Sequence, residues 1–208
     1  MRAVVFPDAA LARHAGRFVW LSIDTEREAN LAFLARYPIE VWPTLLVIDA
    51  ASERCVWRRP GSATVEDMDM LFADAERAVR AAEGDRLARA ARLAGEGKAA
   101  EAAAAVRVAL DGASPEDRPR IAEALVLQLA VAHDDEGCAR AAAEHAPAMP
   151  RGAVFANTVA TGLYCAVGTA KAPWRAAMLA ALTPLCEEAV ALAGLLADDR
   201  SGIFQVLV

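Results

Sequence analysis

Past Gly84 the sequence holds no strand-length apolar run until Phe204–Val208, and most of its 52 alanines lie there. Alanine loses no side-chain entropy when a helix forms and lets neighbouring backbones approach closely, so this half is expected to be packed helices. Gly, Pro and Asp divide it into segments at 85–95, 98–111, 116–133, 136–145, 151–167 and 174–198. The first eighty residues do not share the bias. Because 208 residues suit one large domain or two small ones, the shift at Gly84–Asp85 is read as a boundary between a domain at 1–83 and a domain at 84–208.

The first part alternates in period. Residues 17–24 are an apolar, β-branched and aromatic run of strand length. Thr25-Glu26-Arg27-Glu28 has the spacing of a capping box and predicts a helix over about 26–36, with Leu31, Phe33 and Leu34 on its buried side. Val41–Asp49, entered through Pro43, and Glu53–Arg59 are two further strands, joined by the polar turn Asp49-Ala50-Ala51-Ser52 into an antiparallel hairpin. Thr64-Val65-Glu66-Asp67 caps a helix running to about Ala82, with Met68, Leu71, Phe72, Ala75 and Val79 at helical spacing. The order is strand, helix, strand, strand, helix.

Charge and cysteine spacing remove several function classes. Lys and Arg number 22 against 28 Asp and Glu, and they are scattered, so there is no basic stripe and nucleic acid is not an expected partner. The longest uncharged stretch, Ala153–Ala170, is broken by Asn157, Thr158, Thr161, Gly162 and Gly168 and makes a poor membrane span. The apolar run at the N-terminus stops at Pro7-Asp8, too soon for a signal-peptide core. The chain as written is therefore expected in the cytoplasm, and an upstream signal would make it periplasmic or exported. Cys55, Cys138, Cys165 and Cys186 offer no pair at redox or zinc spacing. All four read as small buried residues, with Cys165 and Cys186 as the pair that helix packing could bring together. His14, His133 and His145 are isolated, and no phosphate loop or Ser/His/Asp order stands out. No catalytic residue, metal ligand or cofactor is expected.

Phe18–Asp24, the helix after it, Tyr37–Asp49 and Arg58-Arg59-Pro60-Gly61 together resemble the thioredoxin superfamily. The most specific part is Val41-Trp42-Pro43-Thr44 ahead of an apolar strand, which is similar to the family's cis-proline loop. An X–Pro bond gives up only about 0.5–1 kcal/mol on going cis. In the family a first strand and a Cys-x-x-Cys turn come before a segment similar to Met1–Ala12, which looks like the part just after that turn in bacterial thiol:disulfide interchange proteins. By this alignment the first strand and both redox cysteines fall ahead of Met1. The expectation is a longer protein that carries them, and the rival is a redox-dead domain whose sheet has closed over the gap. Without its first strand such a sheet has unpaired amides and an apolar slot at its middle.

In the helical half Ala91–Ala102, with Gly95-Glu96-Gly97-Lys98 at the corner, resembles a tetratricopeptide turn, although no 34-residue repeat shows. The fold class expected is thus α/β plus all-α, a partial thioredoxin-like domain followed by an α-helical hairpin domain. The resemblance makes Trp42, Pro43 and Thr44 substrate-binding. Trp42 would be presented to the substrate or, on the plainer reading, packed in the core, while Pro43 shapes the loop and Thr44 begins the strand. It implies thiol–disulfide exchange on a protein or peptide substrate in a full-length form, inactive in the chain as written. A non-enzymatic peptide-binding adaptor is the second reading. Glutathione transferase is the third, disfavoured because Pro60–Thr64 lacks the acidic-Ser pair that holds glutathione.

Overall fold

A computed structural model describes residues 5–39, 42–61, 63–80, 85–169, 171–193 and 200. The chain forms two compact units, Met1–Gly97 and Lys98–Val208. The division falls beyond the composition shift at Gly84 because the first alanine-rich helix packs on the sheet.

In the first unit a 3-10 turn, Ala9–His14, is capped by Asp8, whose carboxylate accepts from the Ala10 amide at 2.8 Å. There follow α1 (Leu31–Arg36), β1 (Thr44–Asp49), β2 (Arg54–Pro60), α2 (Val65–Arg80) and α3 (Arg86–Gly95). β1 and β2 pair antiparallel from Thr44 opposite Pro60 to Asp49 opposite Arg54, as the hairpin pattern predicts. Asp49 closes the turn, accepting from the Ser52 amide at 3.1 Å and its hydroxyl at 2.5 Å. The register slips between Val47, opposite Trp57, and Ile48, opposite Cys55, leaving Val56 as an extra residue. Val56 is buried with Ala75 and Ala78 of α2 and Ala88 of α3. The approach of α3 to β2 is close: a Cβ on Gly95 would stand 2.1 Å from the Cys55 carbonyl oxygen. The capping box of α2 is reciprocal, with Thr64 N–H donating to Asp67 at 2.8 Å and Asp67 N–H donating to the Thr64 hydroxyl at 3.1 Å.

Three sequence expectations need correction here. Residues 17–24 belong to no strand, because the sheet among the described residues has two strands and neither pairs with them; Arg17 closes a turn on the His14 carbonyl, Phe18 lies in a bend, and an extended segment without ladder partners follows. Their alternation is strand-like all the same: Phe18 and Trp20 lie on Phe72 of α2 at 4.4 and 5.3 Å between rings, while Val19 and Leu21 face outward. Alternation selects a face, but a ladder needs a neighbour. The Thr25–Glu28 capping box does not form. Asp24 takes that place, accepting from the Glu26 amide at 3.0 Å, and helix begins with a 3-10 turn at Glu28–Asn30 before α1. Finally, Leu31 and Val79 are exposed, and Ala78 is the buried residue of the last turns of α2. The expectations at Val41, Ala82 and Phe204–Val208 lie outside the described residues.

The second unit contains α4 (Ala99–Asp111), α5 (Arg118–Val131), α6 (Asp135–His145), α7 (Ala153–Gly168) and α8 (Arg175–Val190). Each packs on the next, and α5 also meets α7 as α6 meets α8. Asp134 caps α6 through the Gly137 amide at 2.9 Å. α7 is buried almost all round, with Phe155, Ala156, Val159, Leu163, Cys165 and Ala166 inside. Of the tetratricopeptide-like corner, α3 has β2 and α2 as partners and α4 has α5. Among the described residues no helix is long and apolar enough to cross a membrane.

Candidate functional site

Pro43 makes a cis peptide bond with Trp42 at the entrance to β1. Its carbonyl accepts from Gly61 N–H at 2.8 Å, which ties the loop to the end of β2. Gly61 sits at φ +88, where a side chain would be strained. Thr44 follows as the first residue of β1.

Trp42 is 64% exposed, so it is not a core residue. Its indole N–H donates to the Thr25 hydroxyl at 3.1 Å, and this bond orients the ring over a cleft of about 530 Å³. The cleft is lined by Thr25 and Glu26 at the end of the extended segment, Leu34 of α1, Pro38 and Ile39 after it, and Trp42. Two braces hold the far wall. Tyr37 donates its hydroxyl to the Glu53 carbonyl at 2.7 Å, and Arg58 of β2 donates to the Pro38 carbonyl.

The lining combines an apolar floor with one hydroxyl and one carboxylate, which suits a chain segment bound by ring contact and hydrogen bonds. Among the described residues its lining contains no cysteine or histidine. Of the three residues singled out from sequence, Trp42 lines the cleft, whereas Pro43 and Thr44 are not among its lining residues and lead into β1. Sequence reading missed Thr25, which looked like a helix cap, and Leu34, Pro38 and Ile39, which looked like helix core and linker. Leu34, Pro38 and Ile39 had position shortly before the proline loop as their only advance signal, and Thr25, 17 positions from Trp42, had none.

The cysteines are distributed otherwise than expected. Cys138 and Cys165 form a disulfide with 6.4 Å between Cα atoms, although 27 positions separate them. This corrects the reading of both as free core residues and of Cys165 with Cys186 as the pair to weigh: α6 and α7 bring together what linear spacing kept apart. Cys55 and Cys186 are free and buried. Burial pushes the Cys186 thiol up to about 12 and outweighs the nearby Arg58 guanidinium in raising that of Cys55. Neither is a nucleophile at neutral pH.

No family model, curated protein or solved structure matches this chain.

Proposed function

We propose that this chain carries the substrate-binding part of a thioredoxin-like protein, which holds an extended protein or peptide segment in the cleft beside Trp42. The observation behind this reading is the exposed Trp42 ring, fixed by Thr25 over a cleft of mixed polar and apolar lining, immediately before a cis proline. A flat ring that is oriented in advance loses little freedom on binding and offers a large apolar surface, which is why such side chains dominate recognition. Thiol–disulfide exchange on the bound segment calls for a low-pKa Cys-x-x-Cys pair, and the 208 residues contain none. What these residues contribute is binding.

Titration with a carboxamidomethylated insulin B chain, an extended peptide without free thiols, tests this directly. The wild-type chain binds it, and Trp42→Ala weakens binding by roughly tenfold or more. Equal affinity of the two proteins sinks the reading. Catalytic reduction of insulin by these 208 residues would contradict the assignment of binding without exchange.

A further inference from the structure

The α6–α7 seam is built of small and paired residues in one antiparallel register. Asp135 and Thr169 meet at one end, with the threonine hydroxyl donating to the carboxylate at 2.9 Å. Ala142 and Gly162 meet further along, where a Cβ added to Gly162 would stand 2.2 Å from that of Ala142. Cys138 lies one turn from Ala142 on α6, and Cys165 one turn from Gly162 on α7, so the two cysteines face each other between these contacts. Helix packing on both sides thus sets the separation of the cysteine Cα atoms, and 6.4 Å is within the reach of a disulfide.

We propose that Cys138 and Cys165 are a reversible dithiol–disulfide couple that staples α6 to α7, closed by a low-molecular-weight disulfide and opened by a dithiol. Closure proceeds by two exchanges. One thiolate attacks the disulfide RSSR, forming a mixed disulfide and releasing RS⁻; the other thiolate then attacks the protein sulfur of that bond and releases a second RS⁻. The two thiol protons end on the two leaving thiolates, so two cysteine thiols and RSSR become one protein disulfide and two RSH. Opening is the reverse, with an added dithiol as the reductant.

Both sulfurs lie in the interior, Cys138 fully and Cys165 at 3% exposure, so reagents reach them when the seam opens. Redox state and seam opening are therefore coupled. The closed bond suppresses opening by shortening the unfolded chain across 27 positions, whereas in the reduced form only the flanking contacts oppose it. Cys186 is a buried free thiol on α8, outside the α6–α7 seam. This inference rests on the helical unit alone and stands independently of the Trp42 cleft.

The test compares the full chain after glutathione disulfide with the full chain after dithiothreitol. Thiol titration in denaturant is expected to count two thiols in the first and four in the second, and a non-reducing digest should join the Cys138 and Cys165 peptides. Native-state hydrogen exchange in α6 and α7 should be faster by about tenfold or more in the reduced chain, with a thermal midpoint lower by about 10 °C. A Cys138→Ala, Cys165→Ala double variant should match the reduced wild type and ignore dithiothreitol. The comparison of the two wild-type forms needs no variant to fold. Four thiols after the oxidant, a bond to Cys55 or Cys186, or identical exchange in both redox forms would each overturn the proposal.

Discussion

The two units use apolar residues in opposite ways. Of the ten large apolar side chains exposed among the described residues, seven lie in Met1–Gly97: Phe6, Val19, Trp20, Leu21, Leu31, Trp42 and Val79. The helical unit exposes three, Val108, Tyr164 and Val167. The first unit has large side chains and too few layers to cover them, since its two strands are backed by α2 and α3 and its extended segment pairs with neither strand. The second has small side chains, and alanine, glycine and cysteine settle between its helix backbones. A unit that leaves aromatic surface uncovered is suited to binding, and one closed around small residues is suited to support.

The largest effect that separates them should come from removing one ring in each. Phe155 is completely buried on α7 and lies under the Arg151 guanidinium at 4.3 Å, so Phe155→Ala is expected to cost about 3–5 kcal/mol. Trp42→Ala removes a larger ring at 64% exposure and should change stability by no more than about 0.5 kcal/mol, while weakening peptide binding as above. Because the chain has two units, a single midpoint would blend them, so hydrogen exchange should be followed separately in α7 and in β1–β2. Comparable losses from the two substitutions would erase the distinction between a cleft and a core.

Next come the two glycines at close approaches. A methyl at position 95 meets the Cys55 backbone carbonyl at 2.1 Å, which cannot move without bending β2. At position 162 the first obstacle is the Ala142 methyl at 2.2 Å, which can yield if α6 shifts. Both substitutions to alanine should destabilise by about 1–3 kcal/mol, with Gly95→Ala the costlier of the two. The sharper signature is location: faster exchange in β2 for the first and in α6 for the second. If Gly162→Ala proves the costlier, the helical seam is stiffer than the sheet.

The same contrast explains what could be read from the sequence. The α5–α7 segments were legible because alanine runs bounded by Gly, Pro and Asp carry their own helix signal, and α6 begins at Asp135 behind its Asp134 cap, whereas α8 ends at Val190, short of the expected 198. The hairpin and the α2 capping box were legible for the same local reason. Residues 17–24 were not, because a strand requires a partner that local alternation cannot supply. The Cys138–Cys165 bond was likewise hidden, since only the α6–α7 register brings positions 27 apart into contact. Trp42 could be singled out from the proline beside it, but Thr25, its hydrogen-bond partner, could not, because the 17 positions between them are crossed in space and not in sequence.

The smallest expected effect tests how the Ala9–His14 turn and Arg17 are held to α2. His14 is buried against Phe72, 4.6 Å between rings, with Nε2 at 2.6 Å from Asp69 and Nδ1 at 3.2 Å from the Arg17 guanidinium. Arg13 also pairs with Asp69, and Arg17 with Glu76, so Asp69 divides its charge between two partners. With the proton on Nε2, a neutral imidazole donates to Asp69 and accepts from Arg17 at Nδ1, while Arg13 Nε, 3.4 Å from Nε2, turns to the same Asp69 carboxylate at 3.1 Å; a protonated ring would point a second N–H at a guanidinium. Burial first, then Arg17 and Arg13, hold the imidazole below its ordinary 6.5, against the pull of Glu76. The folded chain then binds this proton less readily than the unfolded one. His14 accordingly contributes full stability above pH 6.5, and the contribution falls as pH drops from there towards the lowered native value. His14→Gln should remove that slope. Protection factors in α2, with the intrinsic pH dependence of exchange divided out, should fall more from pH 7.5 to pH 5.5 in the wild type than in the variant. An identical pH response would show that a charged imidazole is tolerated beside the two arginines and that Asp69 governs the site.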